Sequence, residues 1–414
     1  MKHIYTSLDI GTDTIKIVVC ELYQNKLNLL ASSSYKSKGI KKGLITDVDL
    51  ATLSIKGAID EVQEMLGIKI KKVITSVPSF NAEYSVIKGN VKLNNVEGIV
   101  TSDDIINVLE AASKTVSYTS REMVTILPID YTVDDKVQIK DPKGMSCSIL
   151  GCRAVLASTP KKNVYSVVSL LENLGLEVVD ITLNNIGDLY SFNNSLFKDK
   201  IGAIINIGCE VTNISLYNRS ILVKSSIINM GGKNIDSDIS YMYKLDMPTA
   251  NKLKLKFSLA HKKNASENDI VEVKSAYDNN LKINQFEISE VVMSRLEEIL
   301  NEAKKEINLL TSRKIDYIII TGGTSNMQGF EYVVKDVFGD SANIGNVKML
   351  GIRDNIYSSC IGNLVYFISK LKLKNKNYTM IGDDEVYQMT SVNSKKISTS
   401  DSMLGKIFGF FFSE

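Results

Sequence analysis

The sequence predicts an α/β chain of two related lobes, each a β-meander with helices, with a small α+β insertion, a flexible linker and a C-terminal amphipathic helix. Three observations predict it. The strand–turn–strand pattern of Leu8–Leu30 returns from Lys200 onward, a long-period repeat that points to two facing domains. Between the copies, residues 80–158 switch to short strands around a single helix. At the end, a stretch rich in Lys, Asn, Ser and Thr leads into a phenylalanine-rich segment.

The first lobe opens with strands over YTSLDIG, Ile15–Gln24 and Lys26–Tyr35, the last two joined at Gln24-Asn25, a tight-turn signal. A helix is expected from about Asp49 to Leu66 and a strand at Lys71–Pro78, closing the first part of this lobe at 1–79. In the insertion, a strand at Tyr84–Val91 precedes a helix at Ser102–Ser117, capped by Ser102, and a strand near Val124–Val133. The lobe resumes over 159–199 with a helix from Lys161 to Leu174 that ends at Gly175, a strand at Glu177–Ile181, and a helix from Asn184 to about Phe197.

The second lobe, 200–370, starts with the strand KIGAIIN, continues with helices over about Asp236–Ala260 and Ile288–Thr311, and places the strand DYIIITGG before a helix from Phe330. Residues 371–401 read as a flexible linker reaching about 30 Å. In the closing 402–414, Ser402, Gly405, Lys406, Gly409 and Ser413 share one helical face, while Met403, Leu404, Ile407, Phe408, Phe410, Phe411 and Phe412 cover the rest. Such a helix is roughly 20 Å long against about 30 Å of hydrocarbon, too short to span; its wide, aromatic apolar arc favours lying in a membrane interface over docking on the chain's own body or on a sister subunit. One copy supplies only about a few kcal/mol after ordering costs, which makes assembly into arrays the route to firm attachment.

A chain of 414 residues exceeds one compact core. Lys+Arg 49 against Asp+Glu 47 leaves a net charge of +2, no general field for nucleic acid, so no nucleic-acid partner is expected. Five scattered cysteines without a C-x-x-C pair, and only His3 and His261, argue against zinc and for a reduced, cytoplasmic setting. Asp9 interrupts the first apolar run, so no signal peptide is expected, and no 18-residue apolar run occurs.

Glycine turns after strands carry the chemistry. In Asp9-Ile10-Gly11-Thr12-Asp13-Thr14-Ile15-Lys16, glycine lets backbone N–H groups approach phosphate oxygens, Thr12 and Thr14 add hydroxyl donors, Lys16 supplies a point charge, and Asp9 is a candidate for hydrated Mg²⁺. The second turn, with Asn206, Gly208 and Thr212, occupies the same place in the repeat. Gly322, Gly323 and Thr324 are expected to approach an adenosine moiety, and Gly231, Gly232 and Lys233 precede a helix as a candidate anion site.

With these turns in this order, the chain resembles the actin-like ATPase superfamily and, within it, the bacterial FtsA family. The resemblance covers essentially the whole chain and rests on SLDIGTDTIKIVV, GIKKGLITD, ILPIDYTVDD, IKDPKGM, LASTPKKNVYSVVSLLENLGLEV, IINMGGKNIDSDIS, IITGGTSNMQGF and the Phe-rich tail. It implies an actin-like two-lobed fold, ATP with Mg²⁺ as cofactors, and self-association into filaments. It also implies FtsZ and other division proteins as partners, and a peripheral place on cytoplasmic membrane lipids at the division septum. The helix Ile288–Thr311, with its charges from Glu297 to Glu306, is a candidate contact for the FtsZ tail by the same resemblance. The chain departs from the family at Asn206, where the family usually carries Asp, and at Cys209, Glu210 and Val211, which replace glycines. Asn251 stands where an adenine-contacting Glu is usual, Lys254 is retained, and Asp236 stands in place of Thr. These changes imply weak or absent ATPase activity. Other readings are a type IV pilus assembly adaptor and a small-molecule kinase of the superfamily. The kinase needs a catalytic carboxylate and a substrate pocket that the sequence does not display, and the tail favours division over both.

Overall fold

The structure, a computed structural model, describes residues 3–391 apart from 94–97, 135, 193–196, 198 and 278. The expected membrane helix at 402–414 and the last part of the expected linker lie outside the described residues.

The first lobe begins with β1 (His3–Ile10), β2 (Thr14–Tyr23) and β3 (Lys26–Lys36). The hairpin β4 (Ile40–Lys41) and β5 (Leu44–Ile45) turns at Lys42 and Gly43, both at positive φ as a two-residue hairpin turn demands. Helix α1 (Val48–Leu66) starts where the Asp47 carboxylate accepts from Leu50 N at 3.0 Å and stops at Gly67, φ 69°. Strand β6 (Lys72–Val77) follows.

The insertion holds β7 (Glu83–Lys92), α2 (Ser102–Ser113), β8 (Arg121–Val133), β9 (Lys136–Ile139) and the long β10 (Ile149–Pro160). They form an antiparallel sheet in the order β7-β10-β8-β9. Ile105, Val108 and Ala112 of α2 pack on one face, while Leu127, Val155 and Ala157 join the core of the first lobe. The helix cap is Thr101, not Ser102: Thr101 and Asp104 bond each other's backbone in a capping box, which the sequence T-S-D-D permits at either hydroxyl.

The chain then returns through α3 (Lys161–Asn173), β11 (Glu177–Leu183) and α4 (Asn184–Phe192). The first sheet reads β11-β6-β1-β2-β3. The second lobe repeats this plan with β12 (Ile201–Ile207), β13 (Thr212–Asn218), β14 (Ile221–Ile228), α5 (Gly232–Tyr243), α6 (Met247–Lys256), β15 (Ile270–Lys274), β16 (Asn280–Asn284), α7 (Gln285–Leu310), β17 (Tyr317–Thr321), α8 (Phe330–Phe338) and β18 (Ala342–Ile344). Its sheet reads β14-β13-β12-β17-β18, with the same alternation of two antiparallel and two parallel pairs. The helix expected over 236–260 is two helices. Lys244 takes φ 51°, and Asp246, with Pro248 behind it, caps a new start by accepting from Thr249 N at 2.9 Å.

Helix α9 (Ser358–Leu373) brings the chain back onto β1 and β6. It crosses α4 at backbone contact: a Cβ on Gly362 would lie 1.7 Å from Gly187 O. Both passages of the chain between the lobes, through α4 and through the approach to α9, therefore meet at one point.

The expected linker at 371–401 needs correction in its described part. Residues 378–381 run along β1, where Met380 N donates to Ile4 O at 2.9 Å and Ile4 N donates to Thr379 Oγ1 at 3.1 Å. They use the half of β1 that β6, paired only at Ser7 and Leu8, leaves open. Helix α10 (Asp383–Ser391) then buries Val386 and Met389 beside Met380 and Ile381, and Lys71 Nζ pairs with Glu385 at 2.6 Å. Those four apolar side chains, few among many polar ones, outweigh the polar composition that suggested a free linker.

Candidate functional site

A cleft of about 410 Å³ lies between the lobes. It is floored by the turns that follow β1, β12 and β17. In the first turn Asp9 stands opposite Lys16 in the β1–β2 register, and Lys16 Nζ lies 3.1 Å from Asp9 Oδ2. Ser76 of β6 donates to Asp9 Oδ1 at 3.1 Å. Gly11 has no room for a side chain, because a Cβ there would meet Lys16 Nζ at 2.6 Å and Thr14 O at 2.7 Å. Thr12 and Thr14 also line the cleft, and Thr12 Oγ1 accepts from Gly43 N at 2.8 Å, fixing the β4–β5 hairpin at the rim.

In the second turn the register repeats with Asn206 opposite Asn213. Two amides thus stand where the first turn has its ion pair, and each bonds elsewhere, Asn206 to Asp188 and Asn213 to Ser79. Asn206 and Gly208 line the cleft. Thr212 does not: it is buried and donates to Met230 O at 2.8 Å, tying the loop to the segment before α5. Glu210 neither faces phosphate nor supplies a cleft carboxylate. It accepts from Lys42 N at 2.9 Å and from Lys233 Nζ at 2.7 Å, a clasp between the hairpin of the first lobe and the second lobe. Burial pushes the Glu210 carboxyl upward, but these donors together hold it below the ordinary glutamate value. Burial lifts the neighbouring Cys209 thiol to about 11, so it is no thiolate at neutral pH.

The fourth turn differs from expectation. Gly232 N donates to Gly208 O at 2.9 Å, Lys233 N to Cys209 O at 2.8 Å, and Gly231 N to Asn234 Oδ1 at 2.9 Å. The first amides of α5 are therefore taken up in holding the second turn, and Gly231 and Lys233 are braces, not an anion site. Gly232 still lines the cleft. Lys254 of α6 is buried at the cleft wall, with Nζ 2.9 Å from Gly232 O and 2.7 Å from Asp236 Oδ1. Asn251 donates to the other oxygen of Asp236 at 3.1 Å. In the third turn, Gly322 (φ 92°), Gly323 and Thr324 line the same cleft. A Cβ on Gly322 would meet Asn206 Oδ1 and Ile207 O at 2.5 Å, so the second and third turns touch through it.

The cleft has further members that sequence reasoning did not assign to it. Lys42, Asn213, Asp354, Asn355 and Ser359 line it. Behind it, Asp188 of α4 is buried and accepts from Asn206 Nδ2 at 2.7 Å and from Ser358 and Ser359 Oγ at 2.8 Å each. Burial pushes its carboxyl above the ordinary range, these three bonds pull it down, and the Asp9 charge adds to the rise. A carboxylate on the apolar face of a helix, between Ile186 and Leu189, was its sequence signal. Every carboxylate lining the cleft among the described residues already has a partner: Lys16 and Ser76 for Asp9, Lys36 for Asp13, Lys254 and Asn251 for Asp236, Asn326 for Asp354. Among the described residues no group of three His, Cys, Asp or Glu side chains could hold a metal, and no helix is long and apolar enough to cross a membrane.

The charges of α7 are largely engaged within the chain. Arg295 pairs with Asp238 and Glu298, Lys305 with Glu302, and Glu306 accepts from Ser226 at 2.7 Å. Cys147 and Cys152 are free and buried, as packing residues.

Comparison with known proteins agrees with this architecture. Residues 203–362 match the family model for cell division protein FtsA, and residues 82–157 match the SHS2 domain inserted in FtsA; the two together span more than half of the chain. Cell division protein FtsA of Enterococcus hirae is 28% identical over 364 residues, 87% of this chain and 82% of its own length. That of Bacillus subtilis is 27% identical over 398 residues, 95% and 90% of the two chains. Among solved structures, the PilM-PilN type IV pilus biogenesis complex superposes with a TM-score of 0.60 at 15% identity, covering 87% of this chain and 98% of its counterpart. MreB5 of Spiroplasma citri bound to ADP gives 0.56 at 14%, covering 90% and 99%. These two likenesses concern the fold. Two duplicated lobes, an SHS2 insertion in the first, and family matches in both lobe and insertion make this chain a member of the FtsA family of cell-division proteins, with an actin-like fold.

Proposed function

We propose that this chain binds ATP with Mg²⁺ in the interlobe cleft and self-associates into filaments. We further propose that it tethers FtsZ to the inner face of the cytoplasmic membrane through 402–414, at the division septum. The observation that carries the nucleotide reading is the convergence of three glycine turns on one cleft whose lining includes Lys16 and Lys254. Gly11, Thr12, Thr14, Lys16 and Gly208 suit phosphate oxygens, since they offer backbone amides, hydroxyls and a cation. Asp236, held by Asn251 and Lys254, is a carboxylate that repels phosphate, so it suits the nucleoside, as Gly322, Gly323 and Thr324 do. The fold neighbour bound to ADP supports the same reading.

Lys16, now held by Asp9, is positioned to exchange that partner for an entering phosphate. Asp9 fits a hydrated Mg²⁺, because each of its oxygens takes a single hydrogen bond and keeps a lone pair for a metal-bound water. When bound, the ion neutralises phosphate charge. Apart from Asp9, which is assigned to the ion, each cleft carboxylate among the described residues is paired with a side chain, and Asn206 brings no carboxylate to the second turn, which supports weak or absent hydrolysis.

Membrane attachment rests on the seven apolar side chains of 402–414 and FtsZ tethering on family membership. The test is recruitment of purified FtsZ to vesicles of anionic phospholipid by the full-length chain with ATP and Mg²⁺. Recruitment that disappears when 402–414 is deleted supports the tether. Undiminished recruitment by the truncated chain refutes the anchor, and absence of nucleotide binding by the intact chain refutes the cleft assignment.

A further inference from the structure

Asp188 sits where three structural units meet. It belongs to α4, the first passage between lobes; Ser358 and Ser359 begin α9, which completes the second; Asn206 is the last residue but one of β12, just before the second glycine turn. All three donate to its carboxylate, Asn206 Nδ2 at 2.7 Å to Oδ2 and both serine hydroxyls at 2.8 Å to Oδ1. The direction of the Ser358 bond is fixed from behind, because Thr321 Oγ1, at the end of β17, lies 3.1 Å from Ser358 Oγ and the order Thr321 to Ser358 to Asp188 uses each hydroxyl once as donor. Position 188 must therefore accept on both oxygens. Asn206, whose own Oδ1 is aimed at Gly322, must donate.

We propose that Asp188 and Asn206 are a matched positioning pair: one negative charge is shared by the two positions, and this chain keeps it on the buried side, away from the cleft, where it joins the second and third glycine turns to the crossing of α4 and α9. The proposal rests on the nucleotide reading above for its effect on the cleft, but not for the pairing itself. Aspartate at both positions puts two carboxylates in contact, which either repel or must take up a proton that the present pair does not need, a cost in either case. Asparagine at both sets two amide nitrogens against each other unless the Asn206 amide turns over, which gives up its present orientation toward Gly322 but brings no second charge, so the loss is smaller. Exchanging the two side chains restores every bond: the amide now at position 188 accepts from Ser358 and Ser359 through its oxygen, while its nitrogen donates to the carboxylate now at position 206. The exchange has one further consequence, since position 206 lines the cleft and position 188 does not. The charge moves to the side where polyphosphate binds, and nucleotide affinity comes to depend on a divalent cation to offset the repulsion.

The experiment is a full-length cycle of D188N, N206D and D188N/N206D. It is read by thermal unfolding and by fluorescent ATP-analogue affinity, measured in Mg²⁺ and in EDTA. Expected is a fall in Tm of at least about 4 °C for N206D, a smaller one for D188N, and recovery of most of the loss in the double variant. The ratio of affinity in Mg²⁺ to affinity in EDTA should rise about tenfold in the double variant relative to the parent. A double variant no more stable than N206D overturns the pairing. A restored Tm with an unchanged Mg²⁺-to-EDTA ratio overturns the charge-placement claim. Absence of analogue binding by the parent chain overturns the nucleotide reading and leaves the thermal cycle to decide the pair.

Discussion

Replacing Gly362 by alanine tests whether the α4–α9 crossing is as tight as its backbone contact indicates. The new Cβ would lie 1.7 Å from Gly187 O, where a carbon and a carbonyl oxygen need about 3.3 Å, so the helices must part by about 1.6 Å. The obstacle is backbone in a buried helix, which cannot rotate away. Overpacking of this kind costs about 1–3 kcal/mol, and a rigid crossing places it near the top of that range; alanine returns about 1 kcal/mol of helix propensity. A net loss of about 2 kcal/mol remains, which lowers Tm by about 4 °C in a domain of this size class. Gly57→Ala is the control. Its Cβ would lie 2.5 Å from the ring of Tyr35, the far end of a side chain at the surface that can swing aside, so Tm should stay within about 1 °C of the parent. Differential scanning calorimetry on the two variants decides. Equal Tm values for G362A and G57A would refute the claim that this crossing is a rigid pivot.

Lys254→Met should destabilise by about 3–5 kcal/mol, because it leaves the buried Asp236 carboxylate without its cation, and adding Asp236→Ser should recover part of that loss; chemical denaturation of the three chains measures it. Glu210→Ala removes the clasp to Lys42 N and Lys233 Nζ, so a bound fluorescent nucleotide should dissociate several-fold faster in stopped flow, with little change in Tm. Docking of 378–391 should weaken in acid. The Lys71 bond to Glu385, and the Gly382 amide after it, hold that carboxyl below its ordinary value of 4.5, so the stabilisation is present above pH 4.5 and drains away as pH falls through the lower folded value. Hydrogen exchange of 378–391 at pH 6 and pH 3.5 reads this directly, and equal protection relative to the core at both would count against the ion pair.

Much of the fold was legible in the chain because its signals are local. Strand alternation, the turn at Gln24-Asn25, Gly175 as a helix stop, and the repeat itself all depend on neighbours in sequence. The glycine turns were legible for the same reason. Their chemical meaning was not, because it lies in bonds between distant segments. Gly231 and Lys233 look like an anion site until their amides are found on Asn234 and Cys209, with Gly232 between them on Gly208. Glu210 reads as a stray carboxylate until Lys42 of the other lobe reaches it. The polar stretch after Lys370 hid four apolar side chains whose worth depends on the open half of β1.

By itself, then, the sequence determined the two-lobed α/β plan, the insertion, the order of the glycine turns and the family to which they belong. Backbone propensity and apolar spacing are properties of a few consecutive residues, and the repeat made them count twice. The tertiary structure alone decided which polar groups are free. Lys16, Asp236, Glu210 and Asn206 could each have faced a ligand, and each is engaged by a partner from another element. A buried charge must be met by whatever donor the fold brings within about 3 Å, and that donor can lie anywhere along the chain.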